Sequence, residues 1–483
     1  MSSFLQIEEL SRLLSETFAP FDSAALMNSE GQMLGIKYET ITDIGTFGAC
    51  IQTAKKYFQM QEGDVVLSND PYSGGTLLSI MSLITPIQLG DQTFYFAFRT
   101  RFKPHLAVAQ KLDDEGLRIP PTPIAAKRQL NSAILEAMSS HPAAPKGLSP
   151  RLSEILQIAW RQVDRLKSWV EKSPTTFSKA SQKSFISETK NRVSQRLADL
   201  AHGDQRLDLH FETGEVIRLH TEVRADGIHF DFAGTSNSKR LFLTNAATYG
   251  TCLAAVLAFL GEDFLLNEGI YSLVDVTTPE GCFLNAKYPA PAFEGVVEAS
   301  AVLGGAAVQS LSSICSSRSM GLNGAIPTVL SFEFSSGRIY FDGLAGGGGA
   351  STDSTGIDAY FFWSLNKLQP SVEEIERLYP LRILQSGLRQ GSGGKGKFTG
   401  GNGILREIEV TEDCHLKWLL GHRNTQIKGL KGATGGQASE ITLVKTSGEK
   451  ISLSLSRGDI HLSKGDRVIA ASAGGGGFGK AGE

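Results

Sequence analysis

Residues 65–76, VVLSNDPYSGGT, lead from an apolar run into a polar turn that ends in two glycines. The valines predict a strand because β-branched side chains favour extended backbone, and the Asn-Asp-Pro and Gly-Gly groups are turn signals. We call residues 69–76 the NDPY loop. An aspartate and exposed backbone amides at a strand end are a frequent place for ligand contacts, but Asp70 fits the cap of a simple turn equally well.

The segments on either side of this loop predict an α+β chain. Short β-type runs between residues 32 and 101, such as 94–98, are separated by glycine turn signals and predict a sheet. Residues 207–232 alternate with period two around two Gly turns, which is typical of an antiparallel meander. We expect mixed and antiparallel sheets with a helical insertion, in four subdomains: a mixed sheet with the NDPY loop at 1–125, a helical segment at 126–200, a meander with core helices at 201–345 and a Gly-rich β subdomain at 346–483.

Helices are predicted where apolar residues recur every three or four positions. Residues 4–18 have this spacing, and a second helix is expected to begin with Ser149 as its N-cap and Pro150 in its first turn. Two uncharged stretches, 241–261 and 299–317, are long enough to span a bilayer. Polar side chains interrupt both of them, which favours buried helices of a soluble core.

Composition excludes several classes of function. In 483 residues, 47 Lys and Arg against 50 Asp and Glu leave a net charge of −3, so no basic field is present to hold nucleic acid or an anionic membrane. The five cysteines are scattered without a CxxC pair, which indicates neither a disulfide framework nor a zinc knuckle. The first residues lack the pattern of an export signal. A cytoplasmic protein is therefore expected.

The glycine clusters do not form a nucleotide site. Gly391, Gly396 and Lys397 match the GxxxxGK pattern of a P-loop, but Phe398 stands where the magnesium-binding hydroxyl is needed. No GxGxxG motif opens a βαβ unit, and no GxSxG motif indicates a serine nucleophile. The glycines are better explained by tight turns and close backbone contacts.

Several motifs, taken in order, resemble the hydantoinase B/oxoprolinase family. The NDPY loop is similar to the family's Asn-Asp-Pro-Tyr-x-Gly-Gly-Thr-His signature, and residues 115–121, EGLRIPP, are similar to a second family segment. The resemblance extends from about residue 21 to residue 479. Its other motifs are DFAGTS at 231–236, NEG at 267–269, PEG at 279–281, YPLR at 379–382, SGGKG at 392–396, GGNG at 400–403 and GGGGFG at 474–479.

The resemblance implies a division of labour between subunits. An A-type, actin-like ATPase subunit phosphorylates an amide or ketone oxygen, and the B-type subunit completes hydrolysis or carboxylation. ATP is then used by the partner subunit, and no cofactor is expected on this chain. The expected partners are a hydantoinase A-type ATPase subunit, a small-molecule substrate and, if this chain is inactive, an active B-type paralogue. The substrate itself stays open.

The resemblance also implies a divalent metal site, and this chain departs from it. Relatives place a His and an Asp three residues apart after the Gly-Gly-Thr, and another His some twenty residues later. Here the first two positions are Leu77 and Ile80, and direct alignment places Phe102 at the third, while His105 needs a shift. Gly391 replaces a further family Asp. Aliphatic side chains offer no metal ligand, so we expect no metal.

Three hypotheses about function follow from these residues. In the first, the chain is a catalytic subunit of a cyclic-amide hydrolase or ketone carboxylase that acts without metal, and in the second it is a metal-free scaffold or regulatory subunit. In the third, Leu77, Leu78 and Ile80 form a contact surface for a partner chain. For the first hypothesis, the predicted catalytic residues are Asp70, Glu115 and Arg99, with Arg101 as an alternative cation for a leaving phosphate. The predicted substrate-binding residues are Asn69, Tyr72, Gly74, Gly75 and Thr76, with a positive φ expected at Gly75.

Overall fold

The computed structural model describes residues 3–103, 109–211, 213–261, 266–315, 319–324, 326–360, 370–423 and 427–482. Helices and strands alternate in groups along these ranges, as expected for an α+β chain. The helices are α1 (Ser3–Phe18), α2 (Ile41–Tyr57), α3 (Ser132–Ser139), α4 (Leu148–Lys172), α5 (Lys179–Ala198), α6 (Asn245–Leu260), α7 (Glu268–Tyr271), α8 (Ser300–Ile314) and α9 (Val372–Leu378).

The N-terminal part forms a seven-stranded sheet in the order β2-β1-β5-β4-β3-β6-β7. Neighbouring strands are antiparallel throughout, so the prediction of a mixed sheet here was wrong, because runs of apolar residues do not show strand direction. The strands are β1 (Ser23–Asn28), β2 (Met33–Lys37), β3 (Val65–Ser68), β4 (Ile80–Leu89), β5 (Gln92–Arg101), β6 (Thr122–Ala126) and β7 (Gln129–Leu130).

This sheet is buried on both faces. Alternate side chains of β1 enter different cores, with Ala25 and Met27 in one and Ala24 and Leu26 in the other, as the period of a strand requires. Helix α2 packs on the first face, with α6 behind it and α8 behind α6, and α1 and α4 pack on the second. The NDPY loop, which follows β3, packs against α2, where Gly74 approaches Cys50.

Three further sheets follow. The predicted meander is confirmed as β8 (Gly203–His210), β9 (Val216–Arg224) and β10 (Gly227–Asp231), with β11 (Val274–Thr277) added parallel to β10. Two C-terminal sheets share a third core. One contains β12 (Thr328–Phe334), β13 (Ile339–Leu344), β16 (Cys414–Leu419) and β19 (Arg457–Leu462), and the other contains β14 (Leu381–Leu388), β15 (Ile404–Val410), β17 (Glu440–Val444), β18 (Lys450–Ser452) and β20 (Arg467–Ala471).

The glycine clusters lie side by side and exchange backbone hydrogen bonds. Gly401 N donates to Gly348 O at 2.8 Å, and Gly475 N donates to Gly401 O at 2.9 Å. A Cβ on Gly475 would lie only 1.9 Å from Gly348 O. Close backbone contact, as the sequence suggested, explains the glycines here.

Most predicted helices are confirmed, with one difference at a cap. Helix α4 begins at Leu148 after Gly147, whose φ is 76°, and not at Pro150. Proline fits there because the first-turn N–H groups have no partner within the helix. The two uncharged stretches form the buried helices α6 and α8. Among the residues that the structure describes, no helix combines the length and apolar composition needed to cross a bilayer.

Helices α2 and α6 cross at two glycines, which gives a test of the fold. A Cβ on Gly250 would lie 2.5 Å from Gly45 N. We expect Gly250→Ala to lower the free energy of unfolding by about 1–3 kcal/mol through overpacking. Gly305→Ala in α8 is the matched control, because nothing lies within 4 Å of its Cβ position and alanine favours helix. Urea unfolding measures both, and a Gly250→Ala chain as stable as Gly305→Ala would contradict this crossing.

Candidate functional site

Asp70 organises the start of the NDPY loop. Its side chain caps a single 3₁₀ turn, accepting from Tyr72 N and from Ser73 Oγ, both at 3.0 Å. Arg118 Nη2 also donates to Asp70 Oδ2 at 2.9 Å. The carboxylate is buried. Asp70 is therefore a turn cap, as one interpretation of the sequence held, and in addition the anchor of a cation.

Asn69 fixes the loop to the segment that contains Arg118. Its side-chain nitrogen donates to Leu78 O at 2.7 Å and to Leu117 O at 2.8 Å, and its oxygen accepts from Ile119 N at 2.6 Å. The side chain is fully buried. These contacts give Asn69 a positioning role, and its predicted contact with substrate stays a prediction.

The two glycines of the loop are needed for different reasons. Gly74 has a φ of 91°, and a Cβ there would lie 2.2 Å from Cys50 N. The positive φ expected at Gly75 was wrong, since it belongs to Gly74. At Gly75 a Cβ would meet Asn69 O at 2.7 Å, so close packing excludes a side chain. Thr76 is buried, and its Oγ1 has no hydrogen-bond partner among the described residues.

Glu115 brings a protonatable group to the loop. It ends a short 3₁₀ turn, Leu112–Glu115, and its Oε1 accepts from Phe293 N at 2.8 Å. The other oxygen, Oε2, is buried without a hydrogen-bond partner in the described part of the chain. Burial raises the pKa of Glu115 to about 7, against the opposing hydrogen bonds from Phe293 and Ala292. A carboxyl with such a pKa can give or take a proton near neutral pH.

Two tyrosines and Arg118 surround these carboxyl groups. Tyr72 OH donates to Ala290 O at 2.8 Å, and burial, with Glu115 and Asp70 nearby, raises the pKa of Tyr72 above its usual value. The Arg118 guanidinium lies 4.3 Å from the ring centroid of Tyr288. The side chain of Arg118 is 30% exposed and Tyr288 is 48% exposed, so they form the solvent side of the group.

We call Asp70, Tyr72, Glu115, Arg118 and Tyr288 the Asp70–Glu115 cluster. The structure thus brings together three residues that the sequence singled out, Asp70, Tyr72 and Glu115. Sequence reasoning missed the other two. Arg118 stood within the EGLRIPP motif, which was the available signal, whereas Tyr288 stood in no motif.

Arg99 lies behind the NDPY loop. It is fully buried, forms an ion pair with Asp43 and donates to Gly74 O at 3.2 Å. Arg101 lies next to it, between Asp43 at 2.6 Å and Glu39 at 2.7 Å. Although burial opposes the charge of Asp43, the two arginines and local hydrogen bonds hold its pKa well below the usual range. Arg99 supports the loop, and its predicted catalytic role stays a prediction.

The positions at which the resemblance implies metal ligands face a cavity of about 670 Å³. Leu77, Ile80 and Phe102 all line it, and none carries an atom that binds a divalent cation. The residues present therefore do not fit the metal that the resemblance implies. His105 lies outside the described residues. Within the described ranges, no three His, Cys, Asp or Glu side chains are grouped to hold a metal.

The burial of three apolar side chains corrects the hypothesis of a contact surface for a partner chain. Leu77, Leu78 and Ile80 are each less than a tenth exposed. They are part of an apolar core, so they do not form an exposed contact surface for a partner chain.

Comparison with known proteins agrees with the resemblance to the hydantoinase B/oxoprolinase family. The family model of hydantoinase B/oxoprolinase matches residues 22–481. An uncharacterised protein of Methanocaldococcus jannaschii is 27% identical, over 95% of this chain and 84% of that protein. The 5-oxoprolinase of Saccharomyces cerevisiae is 25% identical over 95% of this chain, but the match spans only 39% of the yeast protein. The crystal structure of an ATP-dependent caprolactamase from Pseudomonas jessenii has the same fold, with a TM-score of 0.83, 19% identity and coverage of 99% of this chain and 89% of that one.

The raised pKa of Glu115 predicts how stability depends on pH. The ordinary pKa is 4.5 and the folded value is about 7, so between these values the folded chain binds more protons than the unfolded one. Stability contributed by this group is complete below pH 4.5 and is lost as pH rises to about 7. Over this interval we expect Glu115→Gln to gain about 3 kcal/mol relative to wild type.

Urea unfolding at a series of pH values measures this difference. Glu136 on α3 is the matched control because its side chain is exposed, and Glu136→Gln should follow the wild type. A Glu115→Gln difference that stays constant across the interval would show that Glu115 does not keep its proton.

Proposed function

Since the chain belongs to the hydantoinase B/oxoprolinase family, we propose that it is a B-type subunit of an ATP-dependent complex that hydrolyses a cyclic amide or carboxylates a ketone. In this proposal a separate A-type ATPase subunit binds ATP and phosphorylates the substrate oxygen, and the present chain acts on the phosphorylated intermediate. The family match over residues 22–481 supports this assignment. The yeast 5-oxoprolinase, of which the chain spans 39%, contains additional sequence outside the match.

The observation that carries a catalytic role is the state of Glu115. One of its oxygens is buried without a hydrogen-bond partner in the described residues, and its pKa is raised to about 7 by burial. A general acid or base works best when its pKa lies near the working pH. In this proposal Glu115 accepts the proton of the attacking nucleophile or donates a proton to the leaving group.

Arg118 supplies the charge that the intermediate requires. A phosphorylated substrate is anionic, and a guanidinium binds phosphate through charge-assisted hydrogen bonds. Arg118 is partly exposed and is oriented by Asp70 at 2.9 Å. In the proposal Asp70 positions Arg118, while Asn69 and the two loop glycines hold Asp70 in place. In this proposal Arg118 takes the phosphate-binding role for which the sequence offered Arg99 or Arg101.

A second candidate function is a metal-free scaffold or regulatory subunit that acts beside an active B-type paralogue. The aliphatic side chains of Leu77 and Ile80, at the positions where relatives bind metal, favour it. Internal contacts of Asn69 and Asp70 also fit this alternative, because both side chains already have hydrogen-bond partners.

Reconstitution distinguishes the two candidates. The chain is co-expressed with an A-type ATPase subunit, with and without a B-type paralogue from the same organism, and ATP-dependent consumption of lactams, hydantoins and ketones is measured. For a catalytic subunit we expect Glu115→Gln to lower kcat about 10²-fold or more, with Glu136→Gln unchanged. For a scaffold, the complex forms and Glu115→Gln retains the wild-type rate. A chain that neither co-purifies with the ATPase nor changes its activity would contradict both.

A further inference from the structure

We propose that the cavity above Leu77 and Ile80 binds an uncharged, mainly apolar small molecule. This inference goes beyond the proposed function, because it holds whether the chain is catalytic or a scaffold. We call this space the aliphatic cavity. It differs from the Asp70–Glu115 cluster, none of whose side chains lines it.

The walls come from distant parts of the chain. The floor lies at the start of β4, one wall is formed by the helical turn that precedes α8, and the others by β13 and α9. The volume of about 670 Å³ lies within the range of pockets that enclose drug-sized molecules. The apolar side chains that line these walls include Leu77, Ile80, Val296, Val297, Phe341 and Leu378.

Charged groups on the inner wall are matched by opposite charges. Arg101 lies between Glu39 at 2.7 Å and Asp43 at 2.6 Å. Asp342 is bound by Arg406 at 2.7 Å. An ionic ligand would lose hydration on entry and would have to compete with these pairs for a counter-charge.

Among the described residues, the opening carries one cation and one anion. Lys103 and Glu374 line it and are exposed. Lys103 Nζ donates to Ile339 O at 3.1 Å and lies 4.2 Å from the ring centroid of Tyr379. The described part of the opening thus has no excess of either charge, and a ligand that enters gains mainly from burying apolar surface.

The departure from the family's metal site determines the class of ligand. Imidazole and carboxylate groups at positions 77 and 80 would make the floor polar and suited to a cation. Leucine and isoleucine there turn the same floor into an apolar surface that favours an apolar molecule.

Two fluorescent probes with the same ring system test this inference on the full-length chain. N-phenyl-1-naphthylamine is uncharged, and 1-anilinonaphthalene-8-sulfonate adds a single sulfonate. We expect saturable binding of about one uncharged probe per chain, with a Kd roughly tenfold or more below that of the sulfonate. Absence of saturable binding of the uncharged probe, or equal affinity for both probes, would overturn the proposal.

A pair of leucines on the surface locates the binding site. Leu378 lines the cavity opening and is 38% exposed, whereas Leu384 on β14 is 43% exposed and does not line it. Leu378→Glu should weaken binding of the uncharged probe about fivefold or more, and Leu384→Glu should leave it unchanged. Val297→Trp, which fills the cavity, should abolish binding. Equal effects of the two leucine variants, or wild-type binding by Val297→Trp, would contradict this location.

Discussion

A buried ion cluster supports the elements on which both candidate sites depend. Asp43, at the start of α2, is fully buried with Arg99 and is also bound by Arg101. Burying such charges is costly unless each is paired, and removing one partner from a buried pair typically costs about 3–5 kcal/mol. Arg99 also donates to the carbonyl of Gly74. The cluster therefore ties α2 and β5 to the NDPY loop and holds that loop in one position.

The fixed loop separates two different chemical environments. On one side, Glu115 has a pKa near neutral pH and Arg118 is a partly exposed cation. Together they suit the anionic intermediate of the proposed reaction. On the other side, Leu77 and Ile80 form the floor of an apolar cavity. Phe293 is common to both, since its N–H donates to Glu115 and the residue lines the cavity.

Periodic patterns predicted the local elements well, and contacts between distant residues explain what they missed. The meander and α1 follow from regular apolar spacing. Asp70 and Glu115 were found because they stand in motifs. Burial could not be read from the sequence, so the fully buried Arg99 was chosen and the partly exposed Arg118 was missed. The positive φ was placed one residue too late because the sequence does not distinguish Gly74 from Gly75. Only their packing, against Cys50 and Asn69 respectively, tells them apart.

The central claim is that aliphatic side chains at the family's metal positions leave this chain without a metal there. The most direct measurement is the metal content of the purified full-length chain after incubation with Mn²⁺, Fe²⁺ or Zn²⁺ and removal of free ions, determined by mass spectrometry of the elements. We expect far less than one ion per chain, because Leu77 and Ile80 offer no ligand atoms. One tightly held ion per chain would contradict it.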